Sequence, residues 1–355
     1  MSNPHFHSIA HHLKDESGHQ YGYHLAFQKA LQDQGIPCHV YIDRRANIPY
    51  LPEGWFYFFR ARNRWFGGDF RILLKELSDG PRHFFLECFN FLELFHLTLA
   101  FCLLGKDHDQ LWLLLRRDFQ QHQCRGVFHV LLLRLLHLRL GPRLKLLTDS
   151  CLIKKELECE LKQPIQHIPL PHILKTLPPR KSLTPGLLRC YWPGAPREAK
   201  GWSIIRTLLQ FSAPKDLSIE LTASDEADLS SSLHKIRPVA PILSHDDYWK
   251  ELCSCDVVLL PYDPLLYRCS TSGIFVESIA AGKIPIVQDG TWLAYELRRF
   301  SLEKLIVDWK QPRFWNHLHK MALDPSISQK LETMRTDYQN FHNLSHFGRH
   351  FLNRL

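Results

Sequence analysis

Four small residues, Ser270, Thr271, Ser272 and Gly273, lie between an apolar run ending in "LLPY" and a segment with helical spacing, "GIFVESIAAG". The first N–H groups of a helix have no partner within it, and the helix dipole leaves positive charge there. Hydroxyls add further donors, and a glycine admits a ligand close to the backbone. The loop is therefore suited to a phosphate or diphosphate. Plain N-capping by Ser or Thr calls for the same residues. Neither the G-x-x-x-x-G-K pattern nor G-x-G-x-x-G occurs here. Glu277 falls on the second turn of the same helix, among apolar residues. A buried acid needs a partner. A ribose diol is one, since a carboxylate accepts from both hydroxyls; solvent or Lys283 is the other.

Strands and helices in alternation must hold this loop in place. Beyond the loop comes "IPIV", so strand, loop, helix and strand follow one another as in a parallel α/β sheet. The same alternation begins at residue 187: "LLRCYW", "LSIELTAS", "VAPILSH", "DVVLLPY", "IPIVQ" and "LIVDW" read as strands. "AKGWSIIRTLLQ", "DDYWKELCSC", "GIFVESIAAG" and "TWLAYELRRF" read as helices between them. Nearer the start, "FHSIAH", a glycine turn, "HLAFQKALQDQG" and "IPCHVYID" form a β-α-β unit, which predicts a parallel pair. Strands are expected at 111–117 and 144–150, with a helix over 126–141 between them. Residues 164–186 are dense in proline, which neither continues a helix nor donates to a sheet, and read as a linker. The expected organisation is α/β with two doubly wound domains. Residues 1–175 form the first, 176–186 the linker, 187–315 the second domain and 316–355 an amphipathic helical tail.

At 355 residues the chain is long for one core. Its net charge of +8 suits anionic partners without choosing among them. Basic residues are dispersed among acids rather than gathered on one face with aromatics, which argues against nucleic acid. The ten cysteines show no disulfide or zinc spacing; Cys253 and Cys255 are separated by one residue. Reduced thiols and a cytoplasmic setting are expected. The 22 histidines are scattered and read as solvated or satisfied within the core. The most apolar stretch, 88–105, contains Glu93 and His96 and reads as a buried helix rather than a membrane span.

The run "DVVLLPYDPLLYRCSTSGIFVESIAAGKIPIVQDGTWLAYEL" resembles the donor-binding half of GT-B glycosyltransferases of the GT4-like group. That group has an aspartate-led strand ending in proline, a Ser/Thr-Gly loop, a helix with a glutamate, and an A-x-G-x-P-x-V strand, here Ala280 to Val287. "WPGAPREAKGW" (192–202) is similar to the same domain's first strand-to-helix loop. The likeness is strongest over 190–300. It implies two Rossmann-like domains facing a cleft, with the tail crossing back onto the first. It further implies a nucleotide-activated sugar as donor, an acceptor of unknown kind, and retention of the anomeric configuration. Ser270, Thr271, Ser272 and Gly273 would cradle the diphosphate, and Glu277 would hold the ribose. Arg197 and Lys200 would neutralise charge on the leaving diphosphate. That role needs no metal, and no resident cofactor is expected. Tyr262 and Tyr267 would line the sugar or base pocket, unless they simply pack. Asp246 and Asp247 form no Asp-x-Asp motif and read as helix-capping residues. The group places another glutamate eight residues before the ribose-binding one; here that position is Cys269. A thiol cannot supply the carboxylate contact, so a degenerate, non-catalytic binding protein stands as the alternative.

On the acceptor side, Gly18 opens a turn before a helix and His19 can act as base or donor. Asp149, Arg116 and Arg117 end strands, where such folds place their sites; each also suits a solvated strand end or an ion pair. The helix over 126–141 is apolar nearly all round, with Arg134, His137 and Arg139 interspersed. Contact with an anionic membrane surface is one reading. A buried helix with snorkelling arginines is the favoured one, because a surface helix should show a cleaner polar face.

Overall fold

A computed structural model describes residues 4–16, 19–60, 63–77, 80–87, 89–116, 125–171 and 183–352. The chain divides into two compact units, Met1–Leu174 with Asn343–Leu355, and Lys175–His342.

In the first unit the order is β1 (His5–Ala10), α1 (His19–Gln32), β2 (Cys38–Asp43), β3 (Trp55–Phe59), α2 (Asn63–Glu76), β4 (Arg82–Leu86), α3 (Phe91–Leu104), β5 (Gln110–Leu114), α4 (Arg125–Leu140), β6 (Leu144–Thr148), α5 (Cys151–Leu161) and β7 (Gln166–His167). The strands form one sheet in the order β3-β2-β1-β4-β5-β6-β7, and every described pairing is parallel. Most strand residues are buried, as in a parallel sheet that carries helices on its faces, but the edge strand β3 exposes Phe56 and Tyr57. Gly35, at φ +72°, ends α1 in the left-handed conformation that glycine adopts at little cost. The proline-dense segment contributes β7 at the sheet edge before 172–182, which lie outside the described residues.

The second unit runs β8 (Leu187–Trp192), α6 (Trp202–Leu208), β9 (Ser218–Ser224), β10 (Lys235–Val239), α7 (His245–Ser254), β11 (Val257–Leu260), α8 (Pro264–Tyr267), α9 (Gly273–Ala280), β12 (Ile284–Val287), α10 (Trp292–Arg299), α11 (Phe314–Leu323) and α12 (Pro325–Phe341). Its sheet order is β10-β9-β8-β11-β12, again parallel. Two expected strands shift. The run 239–245 contributes only Val239, and the edge strand lies earlier, over Lys235–Val239. Ile242 of that run is 66% exposed, so its apolar character reflects no core position. The run 305–309 makes only an isolated bridge, Ile306 to Val287.

The tail does not act as one piece. Helices α11 and α12 belong to the second unit. Trp315 donates to Leu208 O (3.1 Å), and Arg335 and Gln339 donate to Ala280 O at 3.1 and 2.9 Å. Only α13 (Leu344–Leu352) joins the first unit, where Phe347 and Phe351 enter a core with Tyr23, Phe27 and Trp112. A Cβ on Gly348 would lie 2.7 Å from Ala30 O, so glycine lets α13 lie directly on α1.

Candidate functional site

The second sheet reverses at β8. Strands β9 and β10 add on one side, β11 and β12 on the other. At such a switch point the connections diverge, and the crevice beyond the strand C-termini is where α/β folds take ligands. The loops leaving β8 and β11 are those that carry Arg197 and Lys200, and Tyr262 with Ser270, Thr271, Ser272 and Gly273.

The two loops are tied together. Asp263 N donates to Ala199 O (3.0 Å). Gly201 has φ +80°, and a Cβ there would lie 2.4 Å from Pro261 O. Glycine thus allows both the left-handed turn and the backbone contact. Gly194, at φ +90°, leaves room for the Lys200 ammonium, whose Nζ would lie 2.6 Å from a Cβ at that position. Lys200 is half-buried, and Arg197 is exposed. Desolvation, with the Arg197 charge adding to it, brings the Lys200 ammonium down to about 8. The ammonium is therefore held where an anion would relieve it.

In the loop leaving β11, Ser272 is the buried N-cap of α9 and accepts from Phe275 N (3.2 Å). The capping reading of this serine holds. It is compatible with an anion at the same helix start, toward which first-turn N–H groups point. Tyr262 is buried. Desolvation raises its phenol, with the neighbouring Tyr267 next and an opposing hydrogen bond with Ser272. The Tyr262 and Tyr267 rings lie 4.4 Å apart. The Arg197 charge reaches Tyr267, so both loops share one electrostatic environment. Ser270, Thr271 and Gly273 are half-buried beside them.

Glu277 is half-buried and accepts from the Tyr248 hydroxyl at 2.5 Å. Burial and the Glu277 charge keep that phenol protonated, so it is a fixed donor. Lys283 instead donates to Cys253 O and Cys255 O at 2.8 and 2.7 Å. Sequence reasoning missed Tyr248; its only signal is a tyrosine four residues after the Ser244 cap of α7. Ser244 performs the capping there, accepting from Asp247 N, while Asp246 and Asp247 occupy the first turn. Cys269 is a buried thiol, 2% exposed.

In the first unit, Gly18 and Arg117 lie outside the described residues. His19 opens α1, and its side chain also lies outside them. Asp149 is 1% exposed and pairs with Arg116 (2.9 Å), so it is no solvated strand end. Arg116 also reaches Glu87 (3.1 Å) and lies 4.6 Å over the Tyr23 ring. Glu87 lies 3.5 Å from His24, which bonds Ser8 Oγ at 2.8 Å. This chain of alternating charges spans the C-terminal ends of β4, β5 and β6. Glu87 and His24 were not legible beforehand, because nothing local distinguishes them from surface residues.

No protein-family model and no curated protein matches the sequence. Solved structures do. The glycotransferase of kitacinnamycin matches with TM-score 0.58 at 13% identity, covering 100% of both chains. The E. coli trehalose-6-phosphate protein bound with UDP-2-fluoro glucose matches with TM-score 0.64 at 10% identity, covering 98% of each. The apo lipopolysaccharide outer core galactosyltransferase WaaB matches with TM-score 0.61 at 13% identity, covering 98% of each. At these identities the likeness is one of fold: the chain has the GT-B architecture of two Rossmann-like domains.

Proposed function

We propose that this protein is a glycosyltransferase that takes a sugar from a nucleotide-activated donor bound on its second unit. One observation carries the reading: at the switch point of the second sheet, a half-buried lysine loop is tied to the loop that leads into a hydroxyl-rich helix start, with an oriented carboxylate one turn along. In this reading the start of α9 and Ser270, Thr271 and Ser272 receive the diphosphate. Lys200 and Arg197 take up the charge that grows as the glycosidic bond breaks. Glu277, oriented by Tyr248, accepts from the ribose hydroxyls. Fixed cations and N–H dipoles supply this stabilisation, so transfer proceeds without a metal and without a resident cofactor. Retention of configuration follows the group the sequence resembles. The acceptor side draws on the Asp149–Arg116–Glu87 chain.

A buried thiol at Cys269 favours a second reading, in which the nucleotide sugar is bound and not transferred. The outer face of α4 favours a peripheral membrane contact. Val127, Phe128, Leu131, Leu135 and Leu138 are all exposed, whereas Leu132, Leu133, Leu136 and Leu140 are buried. The buried-helix expectation thus holds for one face only.

Calorimetry with UDP, GDP and ADP tests the donor site. One nucleotide should bind in the micromolar range, and Glu277→Ala should weaken it by about tenfold or more, the loss of at least one charge-assisted hydrogen bond. If no nucleotide binds, the proposal fails. Binding with no sugar released from the matching donor, across a panel of acceptors, selects the second reading.

A further inference from the structure

The first sheet also reverses, between β1 and β4. Its two diverging loops carry a group that the sequence reading passed over as ordinary histidine content. His11 and His12 form the turn after β1, and Glu93 lies in the first turn of α3, after β4. His11 Nε2 lies 3.0 Å from Glu93 Oε1. His12 Nε2 lies 3.1 Å from the same oxygen and 3.1 Å from Oε2. All three donor atoms fall within 4.8 Å of one another.

Three features set this group apart from a satisfied polar cluster. First, His11 Nδ1 has no hydrogen-bond partner although the side chain is 6% exposed, and Glu93, 0% exposed, takes both imidazoles on the one oxygen Oε1. Leaving buried polar atoms unsatisfied costs about 1–3 kcal/mol each. Second, the two imidazole-to-carboxylate spacings, 3.0 and 3.1 Å, are those of neighbouring ligands in a coordination polyhedron. Ligand atoms about 2.1 Å from a metal lie roughly 3.0–3.4 Å apart in octahedral or tetrahedral geometry. Third, the carboxylate is held from behind: Asn90 N donates to Glu93 Oε2 (2.8 Å) and Asn90 Oδ1 accepts from Glu93 N (3.1 Å), a capping box that fixes its direction. Phe66 and Phe59 wall the His11 ring at 4.6 and 5.9 Å. His12, 37% exposed, leaves a route to solvent. The other histidine group, His5, His7 and His39, is less suited. Its His5 and His7 rings stack face to face, at 3° between planes, and His7 Nδ1 is engaged by the Tyr41 hydroxyl at 3.3 Å.

We infer that His11, His12 and Glu93 bind a divalent transition metal of the zinc class, with its remaining positions open to water or a ligand oxygen. Two imidazoles and one carboxylate match the borderline preference of Zn(II). Three protein ligands and an open position characterise metal sites that admit an outside ligand. The metal would pin the turn after β1 to the start of α3. This inference does not rest on the donor-site reading, and either can fail alone.

The test is titration of the chelator-treated full chain with Co(II) alone, followed by displacement with Zn(II). About one equivalent should give the visible bands of nitrogen-ligated Co(II), and Zn(II) should abolish them and raise the thermal midpoint. His12→Ala, at a part-exposed turn position, and Glu93→Gln, which still accepts from Asn90 N, should each weaken binding by about 100-fold or more, since loss even of an outer-shell partner costs 10–100-fold. Both variants should keep the wild-type far-UV spectrum. His39→Ala should bind as wild type. No saturable Co(II) signal, a signal that survives both His12→Ala and Glu93→Gln, or one lost in His39→Ala would overturn the assignment.

Discussion

Lys200 gives the proposed donor site a pH signature that can be worked from the structure. In the free protein its ammonium titrates at about 8, against the ordinary 10.5, because it is desolvated and lies near Arg197. A bound diphosphate replaces the lost hydration with negative charge, so the lysine is protonated in the complex throughout the range considered. Affinity then scales with the fraction already charged in the free protein. That fraction falls from about three quarters at pH 7.5 to about a tenth at pH 9. The expected loss is about eightfold, or ~1.2 kcal/mol, with affinity falling as pH rises. Other groups leave the window clear. A terminal phosphate, with its second pKa near 6, is already ionised. Tyr262 and Tyr267 are raised above their ordinary values, chiefly by burial, and stay neutral. Calorimetry in two buffers of different ionisation enthalpy would measure both the affinity and the protons taken up. Uptake should grow from about a quarter of a proton at pH 7.5 to about nine-tenths at pH 9. Lys200→Arg keeps the charge above any accessible pH and should flatten both curves. An affinity independent of pH in the wild type, or the same decline in Lys200→Arg, would refute the placement of Lys200 on the diphosphate.

Two further outcomes are expected. Gly201→Ala forces a side chain into a left-handed backbone against Pro261 O; it should destabilise the protein by about 2–4 kcal/mol, lower its thermal midpoint and weaken nucleotide binding, and an unchanged midpoint would show that the loop contact is not needed. Leu131→Glu with Leu138→Glu changes two exposed positions of α4; sedimentation with anionic vesicles should carry down the wild type and leave the variant in solution, at equal thermal midpoints, and failure of the wild type to sediment removes the membrane proposal.

The second unit was the more legible in sequence, for a physical reason. Strands β11 and β12 are short continuous apolar runs beside glycine and proline, and the candidate loop lies between them, so pattern locates both. Errors arose where an apolar run was not buried, as at Ile242, or where a single bridge replaced a ladder, as at Ile306. Local pattern also assigned the tail to one body, whereas α12 ends at Phe341 and α13 turns to a different core two residues later. Partners made across the fold left no local trace: Tyr248 on Glu277, Arg116 between Glu87 and Asp149, and the histidine turn on Glu93. Each joins residues 29 or more positions apart, beyond the reach of any window that reads helices and strands.

The two sheets make the same topological choice and use it differently. Each begins at an interior strand, builds outward on one side and then returns to the other. Each therefore leaves diverging loops at the C-terminal ends of two central strands, with no connection crossing between them. In the second unit that place is furnished with a lysine, an arginine, hydroxyls and a helix start, a set that favours an anion. In the first, imidazoles and carboxylates lie there, and Arg116, just past the neighbouring strand β5, is shared by two acids. Such a set favours a cation or a hydroxyl-bearing ligand instead. In the proposed transfer this asymmetry would serve a donor diphosphate, bound by positive charge, and an acceptor hydroxyl, met by groups able to accept its proton. The same reversal of strand order thus provides two positions, and it is their side chains that distinguish them.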